Sequence, residues 1–145
     1  MARHFVDTSA LVKLYRSEPL SDAVEAVIGA KDTLVLSGIA FLEFQSAFHG
    51  LVRQRVISEV HGRQRIALLK LDLGNFEIVP LTQSLVMAAE LLVDRFGVGE
   101  GLRPADSLQL ASALEAHGRA PLDTLLTTDA VLRQCAVASG LVVKP

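Results

Sequence analysis

In the stretch LRPADSLQLASALEAH, residues 102–117, Asp106 shares a helical face with Leu110, Ala113 and Leu114, the face that an amphipathic helix buries. A carboxylate placed there needs a partner or a proton. Three further acids keep similar company. Asp7 ends an apolar run in HFVDTSALV, Asp129 follows another in LLTTDAVL, and Glu43 in SGIAFLEFQSAF has Ala40, Phe44 and Ala47 as helical neighbours. Each has a structural reading when taken alone: helix N-cap or first-turn residue for the aspartates, a snorkelling side chain at the edge of an apolar stripe for Glu43. Taken together they suggest a site. Two like charges ~4 Å apart repel by about 4 kcal/mol at an effective dielectric near 20, so carboxylates sharing a cleft require cations or protons. Oxygen-only donors without a Cys or His cluster suit Mg²⁺ or Mn²⁺, whereas structural zinc would want sulfur and nitrogen. The hydroxyls of Thr8, Ser9, Ser107 and Thr128 flank the acids and either orient them and a metal-bound water or cap helices.

Such a site needs elements that bring distant residues to one place. Short apolar runs rich in branched residues recur at His4–Val6, Thr33–Ser37, Phe76–Leu81, Thr124–Thr127 and Leu141–Val143, and read as strands. Helical patterns fill the intervals: Ala10–Arg16, Leu20–Ala30, Ile39–Arg55, Ser58–Leu73, Ser84–Phe96, Pro104–His117 and Ala130–Ser139. Thr8 or Ser9 is placed to cap the first, Ser58 to cap the fourth, and Pro104 suits a first helical position. The alternation predicts an α/β fold, a three-layer α/β/α sandwich around a central, mainly parallel five-stranded sheet. In such a sheet ligands gather outside the carboxyl ends of the strands, where Asp7 and Asp129 stand. The connector GVGEGL (97–102) follows a helix, not the strand that a phosphate loop requires.

Composition bounds the alternatives. The 145 residues are expected to form a single domain over 1–145; 50% are hydrophobic, 21% are charged, and the net charge is −2, so the whole-molecule field does not favour a polyanion. A lone Cys135 excludes an intrachain disulfide and reads as a small buried apolar residue. No apolar run approaches the ~18 residues of a membrane helix, and no secretory signal pattern opens the chain. A soluble, cytoplasmic protein is the expectation.

At the acids the sequence resembles the PIN-domain family and, within it, the single-domain VapC-type toxins. FVDTSALVKLY resembles the family's opening strand and first acid, Asp7; Glu43 stands in the place of the acid in the helix after the second strand. LRPADSLQLASA resembles its Arg-x-x-Asp helix, giving Asp106, and LLTTDAVL its hydrophobic-Thr-x-Asp ending, giving Asp129. Ser107 replaces a frequent Ala and Gln109 a frequent His. The resemblance implies a divalent-metal-dependent endoribonuclease, dimeric and held inactive by a cognate antitoxin, in which Asp7, Glu43, Asp106 and Asp129 bind Mg²⁺ or Mn²⁺ and RNA is cut to 5′-phosphate and 3′-hydroxyl ends.

Arg53, Arg55, Arg63, Arg65 and Lys70 crowd two successive helices and read either as holders of the RNA backbone or as a solvated face. Three other functions fit parts of the pattern. A metal-free nuclease would use paired histidines from among His4, His49, His61 and His117. A receiver-like phosphoacceptor would share the length, the five strands and the terminal VVKP, but needs an Asp after the third strand, which here ends IVPLTQ. A PIN-like domain that binds RNA or a partner without cutting keeps the fold and loses the chemistry.

Overall fold

Five short strands line up in the order β3-β2-β1-β4-β5, every neighbouring pair parallel. The computed structural model describes all 145 residues. The strands are β1 (Arg3–Val6), β2 (Thr33–Ser37), β3 (Glu77–Val79), β4 (Thr124–Leu126) and β5 (Val143–Lys144). Between them run α1 (Thr8–Tyr15), α2 (Ser21–Glu25), α3 (Ala40–Arg53), α4 (Glu59–Asp72), α5 (Gln83–Phe96), α6 (Pro104–Arg119) and α7 (Ala130–Ala138). The expected α/β sandwich is therefore present, and the sheet is wholly parallel.

Period-two alternation along the strands creates the two outer layers. Phe5, Val35 and Leu125 are in register and join one apolar cluster with residues of α5, α6 and α7; the next residues along, Val6, Leu36 and Leu126, join a second cluster with residues of α1 to α4. Strands covered on both faces favour near-continuous apolar runs, and the buried polar residues they do carry, His4, Ser37 and Thr124, are hydrogen-bonded. The order 3-2-1-4-5 puts the reversal of strand order between β1 and β4, and a crevice opens at the carboxyl ends of strands at such a point. A receiver-like sheet runs 2-1-3-4-5, so this topology is not that of a receiver.

Several boundaries move from the sequence expectation. The helix expected over Leu20–Ala30 shrinks to Ser21–Glu25: the Gly29 amide donates to Asp32 Oδ2 at 2.7 Å, pulling the chain into a turn ahead of β2. Asp7, not Thr8 or Ser9, is the N-cap of α1, whereas Ser58 caps α4 as expected by accepting from the His61 amide at 3.1 Å. Pro104 stands at the start of α6.

Helix α3, which carries Glu43, is anchored by aromatic packing. Phe44 and Phe48 are fully buried with ring centroids 4.5 Å apart, and Tyr15 of α1 meets Phe44 edge-on at 5.3 Å. At the amino ends of the strands a polar staple joins three segments. His4 is buried; its Nδ1 lies 2.6 Å from Thr124 Oγ1 and its Nε2 lies 3.1 Å from Asp32 Oδ2. Asp32 also accepts the Ala2 amide at 2.8 Å. The Ala2 and Gly29 amides, with His4 adding to them, hold the Asp32 carboxyl down at about 2.

Two predictions follow from this packing. Phe44→Ala removes a fully buried ring and should cost about 3–5 kcal/mol in urea-induced unfolding, with α3 the first element to lose amide-exchange protection. Asp32 ionises more readily folded than unfolded, so its contribution is present above its unfolded pKa of about 3.9 and is lost as pH falls toward about 2. Asp32→Asn should therefore lower the denaturation midpoint at pH 7, and the gap to wild type should close between pH 4 and pH 2. A gap unchanged across that range would show that the carboxylate's charge plays no part.

Candidate active site

Two of the four acids are positioned by strand ends. Asp7 directly follows β1 and stays on its ladder, its amide donating to the Leu126 carbonyl at 3.0 Å; Asp129 follows β4 by three residues and caps α7, its Oδ1 accepting the Leu132 amide at 2.8 Å. Glu43 lies in the first turn of α3, and Asp106 in the first turn of α6. All four line one cleft of about 360 Å³, together with Thr8, Ser9, Ser46, Ala47 and Arg103. The placement answers why Asp106 sits on an otherwise buried helical face: that face ends at the cleft.

Asp7 is the most enclosed, at 6% exposure. Its Oδ2 accepts from Ser9 Oγ at 2.6 Å, Thr127 Oγ1 at 2.9 Å and the Ser9 amide at 3.3 Å. Burial nevertheless raises its pKa, outweighing the hydrogen bonds that favour the anion. Glu43 is held by an amide and a hydroxyl: Gln109 Nε2 donates to its Oε1 at 2.6 Å and to Thr8 Oγ1 at 2.9 Å, and Thr8 Oγ1 donates to the same Oε1 at 3.1 Å. Burial raises the Glu43 pKa as well, and the charges of Asp7 and Asp106 push in the same direction. Gln109 is 1% exposed, and its Oε1 is buried without a partner.

The other two acids share a cation. Arg103 Nε donates to Asp106 Oδ2 at 3.3 Å, and Arg103 Nη2 lies 3.9 Å from Asp129 Oδ2. This guanidinium is 74% exposed, so the pairing is worth at most about 1 kcal/mol and yields readily to a competing cation.

The oxygen donors are of the type that Mg²⁺ or Mn²⁺ prefers, and they surround one opening. No three or more His, Cys, Asp or Glu side chains lie close enough together to form a metal cage, with Arg103 reaching between two of them. The donor chemistry thus fits a hard cation, and the cleft is open rather than closed around one.

The flanking hydroxyls divide. Thr8 and Ser9 line the cleft, but Ser107 donates to the Pro104 carbonyl at 2.7 Å and lines a separate hollow between α5 and α6. Thr128 contributes its amide, which donates to Ser9 Oγ at 3.0 Å, while the neighbouring Thr127 supplies the hydroxyl that reaches Asp7. Of the two roles the sequence allows for these hydroxyls, Ser107 takes the structural one as a helix-turn hydroxyl, and Thr128 joins the network around Asp7 through its amide. In the sequence Arg103 and Thr127 appear only as members of the Arg-x-x-Asp and hydrophobic-Thr-x-Asp motifs, with no role of their own, and Gln109 only as an unusual residue. The available signal was spacing, since Arg103 and Gln109 stand three residues either side of Asp106.

The basic residues also scatter. Arg63 and Lys70 line a groove between α3 and α4, whereas Arg65 faces the largest cleft, about 500 Å³, beside the end of α1. Arg53 and Arg55 are exposed at the α3–α4 turn. The histidines do not pair: His4 is in the staple, His49 in the groove, His61 in the large cleft, and His117 accepts the Leu122 amide. Cys135 is fully buried, and burial raises its thiol pKa, as expected for an inert residue.

Comparison with known proteins agrees with this architecture. The PIN-domain profile matches residues 4–142. Ribonuclease VapC35 of Mycobacterium tuberculosis is 30% identical over 141 residues, covering 96% of this chain and 93% of that protein. Among solved structures, the M. tuberculosis toxin VapC20, described as cleaving the sarcin–ricin loop, superposes with a TM-score of 0.69 at 18% identity over 98% of this chain and 99% of that one. The Rickettsia felis VapBC2 complex, solved with a promoter DNA fragment, gives 0.65 at 16% identity, covering 97% and 96%. The wholly parallel 3-2-1-4-5 sheet, the acids gathered at its carboxyl end and the end-to-end profile match together show that this chain belongs to the PIN-domain family.

Proposed function

We propose that the acidic cleft is the active site of a divalent-metal-dependent endoribonuclease that cuts RNA to 5′-phosphate and 3′-hydroxyl ends. The observation that carries this reading is the convergence of Asp7, Glu43, Asp106 and Asp129, far apart in sequence, on one cleft. The relative named a ribonuclease supports the substrate class. Asp7, Glu43, Asp106 and Asp129 would hold Mg²⁺ or Mn²⁺. Such an ion would supply Lewis acidity, lowering the pKa of a water and offsetting the phosphodiester charge.

The chain's own residues prepare that chemistry. Ser9 and Thr127 both bond Asp7 Oδ2 and so hold the carboxylate in one orientation at the cleft wall. Gln109 and Thr8 do the same for Glu43. Arg103 neutralises Asp106 and Asp129 in the metal-free protein, and its exposed side chain is free to turn toward an incoming phosphate.

The solved neighbours include toxin–antitoxin complexes from R. felis and Haemophilus influenzae. That likeness supports a biological role as the toxin of such a pair, dimeric, cytoplasmic and restrained by a cognate antitoxin. No helix is long and apolar enough to cross a membrane.

Asp7→Asn tests the site through two independent readouts. Folded Asp7 has a raised pKa, so its effect on stability is favourable below its unfolded pKa and is lost as pH rises through the folded value. Removing the charge should raise the melting temperature of the metal-free protein at pH 7 and change it less at pH 4, where the folded carboxyl is closer to protonated. RNA cleavage in Mg²⁺ should fall by at least about 100-fold. A stabilised variant that cuts at the wild-type rate would remove Asp7 from the chemistry. Cleavage should also be supported by Mg²⁺ or Mn²⁺ and abolished by EDTA; full activity in excess EDTA would reject the metal site.

A further inference from the structure

Helix α3 separates two cavities of opposite character. Glu43, Ser46 and Ala47 face the acidic cleft; Phe41, Gln45 and His49, spaced by four, line the α3–α4 groove on its other flank. Ala40, Phe44 and Phe48 turn into the core beneath, and Leu42, 64% exposed, forms the crest above. Arg63, Ile66, Ala67 and Lys70 of α4 complete the groove, which encloses about 390 Å³ and has no carboxylate among its lining residues.

Its chemistry is that of a surface for a single-stranded polyanion. Lys70 Nζ lies 4.7 Å above the centre of the half-buried Phe41 ring, placing an ammonium beside an aromatic face. Arg63 is held only by Glu59 of its own helix, at 2.8 Å, with both side chains about two-thirds exposed, so the guanidinium exchanges that partner easily. Cations beside an aromatic ring suit a flexible strand: a phosphate draws the Lys70 ammonium off the Phe41 face, and a base stacks there in its place. A double helix would be too stiff to dip into the groove and cross the crest.

We infer that the α3–α4 groove, through Arg63, Lys70 and Phe41, binds a single-stranded segment of the RNA substrate next to the scissile phosphate. This inference rests on the ribonuclease reading above. A strand leaving the acidic cleft passes over α3, roughly 10–12 Å across, before reaching Arg63 and Lys70. These residues therefore hold flanking phosphates and add affinity without reading sequence. Arg65 faces a different cleft, and Arg53 and Arg55 lie beyond the groove, so the five basic residues are not equivalent.

The test compares Arg63→Ala/Lys70→Ala with Arg53→Ala/Arg55→Ala, which removes equal charge from the same helical hairpin outside the groove. Binding of a short labelled single-stranded RNA of mixed sequence is measured in EDTA over a range of salt, and cleavage of the same RNA is measured in Mg²⁺. The groove variant should bind several-fold more weakly, and its plot of log K against log salt should be shallower by about 1.4, the loss of two single-strand phosphate contacts. The control should keep the wild-type slope. Phe41→Leu should weaken binding without changing the slope, since it removes stacking and no charge. Equal slopes in all proteins, an equal drop in both double variants, or no RNA binding by wild type would overturn the groove assignment. Displacement of the RNA by poly-glutamate more readily than by unlabelled RNA would reassign the groove to an acidic peptide. Wild type that binds RNA with the expected slope differences yet fails to cut in Mg²⁺ would refute the ribonuclease reading and leave the groove standing.

Discussion

Mutual repulsion among carboxylates at the carboxyl end of one sheet is the constraint around which this molecule is arranged. Burial raises the pKa of Asp7 and of Glu43, and the charges of Asp7 and Asp106 push Glu43 further the same way, so holding these groups ionised in one cleft opposes folding. The fold offsets this in three chemically distinct ways. Asp7 is buried among hydroxyl donors and retains its proton to higher pH; Glu43 is shared by an amide and a hydroxyl; Asp106 and Asp129 borrow the exposed guanidinium of Arg103. Only the last of these is easily displaced. The Asp7–Glu43 side of the cleft is thus fixed by buried hydrogen bonds, and the Asp106–Asp129 side is held by an exposed, exchangeable guanidinium.

The two ends of the sheet have opposite electrostatics. At the amino ends, His4, Thr124 and Asp32 form a closed polar chain in which backbone amides favour the anion. At the carboxyl ends, burial and neighbouring charge disfavour it. The first arrangement fastens three segments together, and the second stores unfavourable charge where ligands gather in parallel sheets. Stability and candidate chemistry are separated along the strand axis. The aromatic anchoring of α3 by Phe44 and Phe48 joins them, because the helix that packs the core also presents Glu43.

Much of the fold is legible in residue order. Apolar runs at 4–6, 33–37, 76–81, 124–127 and 141–143 alternate with helical periods, and five strands lie on those runs, with β5 starting two residues late. The acids at 7 and 129 are legible as strand-end residues because each lies within three residues of the end of an apolar strand and just ahead of a helix. The helix expected over 20–30 failed because Val24, Val27 and Ile28 keep a helical period through a segment that the Asp32 carboxylate captures as a turn. A side-chain acceptor overrode an apolar pattern, and periodicity does not register that competition.

By itself, then, the sequence determined a parallel α/β sheet and a short list of acids, since strand and helix periods are local properties of neighbouring residues. Tertiary structure alone decided the company those acids keep. Thr127 rather than Thr128 reaches Asp7, because the strand pleat sends consecutive side chains to opposite faces and only the register of β1 with β4 sets which one meets Asp7. Gln109 reaches Glu43 across 66 residues, and Arg63 and Lys70 face a groove that Arg65 does not, because helix crossing angles select which flank of each helix is covered. Those angles are fixed by packing between segments far apart in the chain, and no window of neighbouring residues contains them.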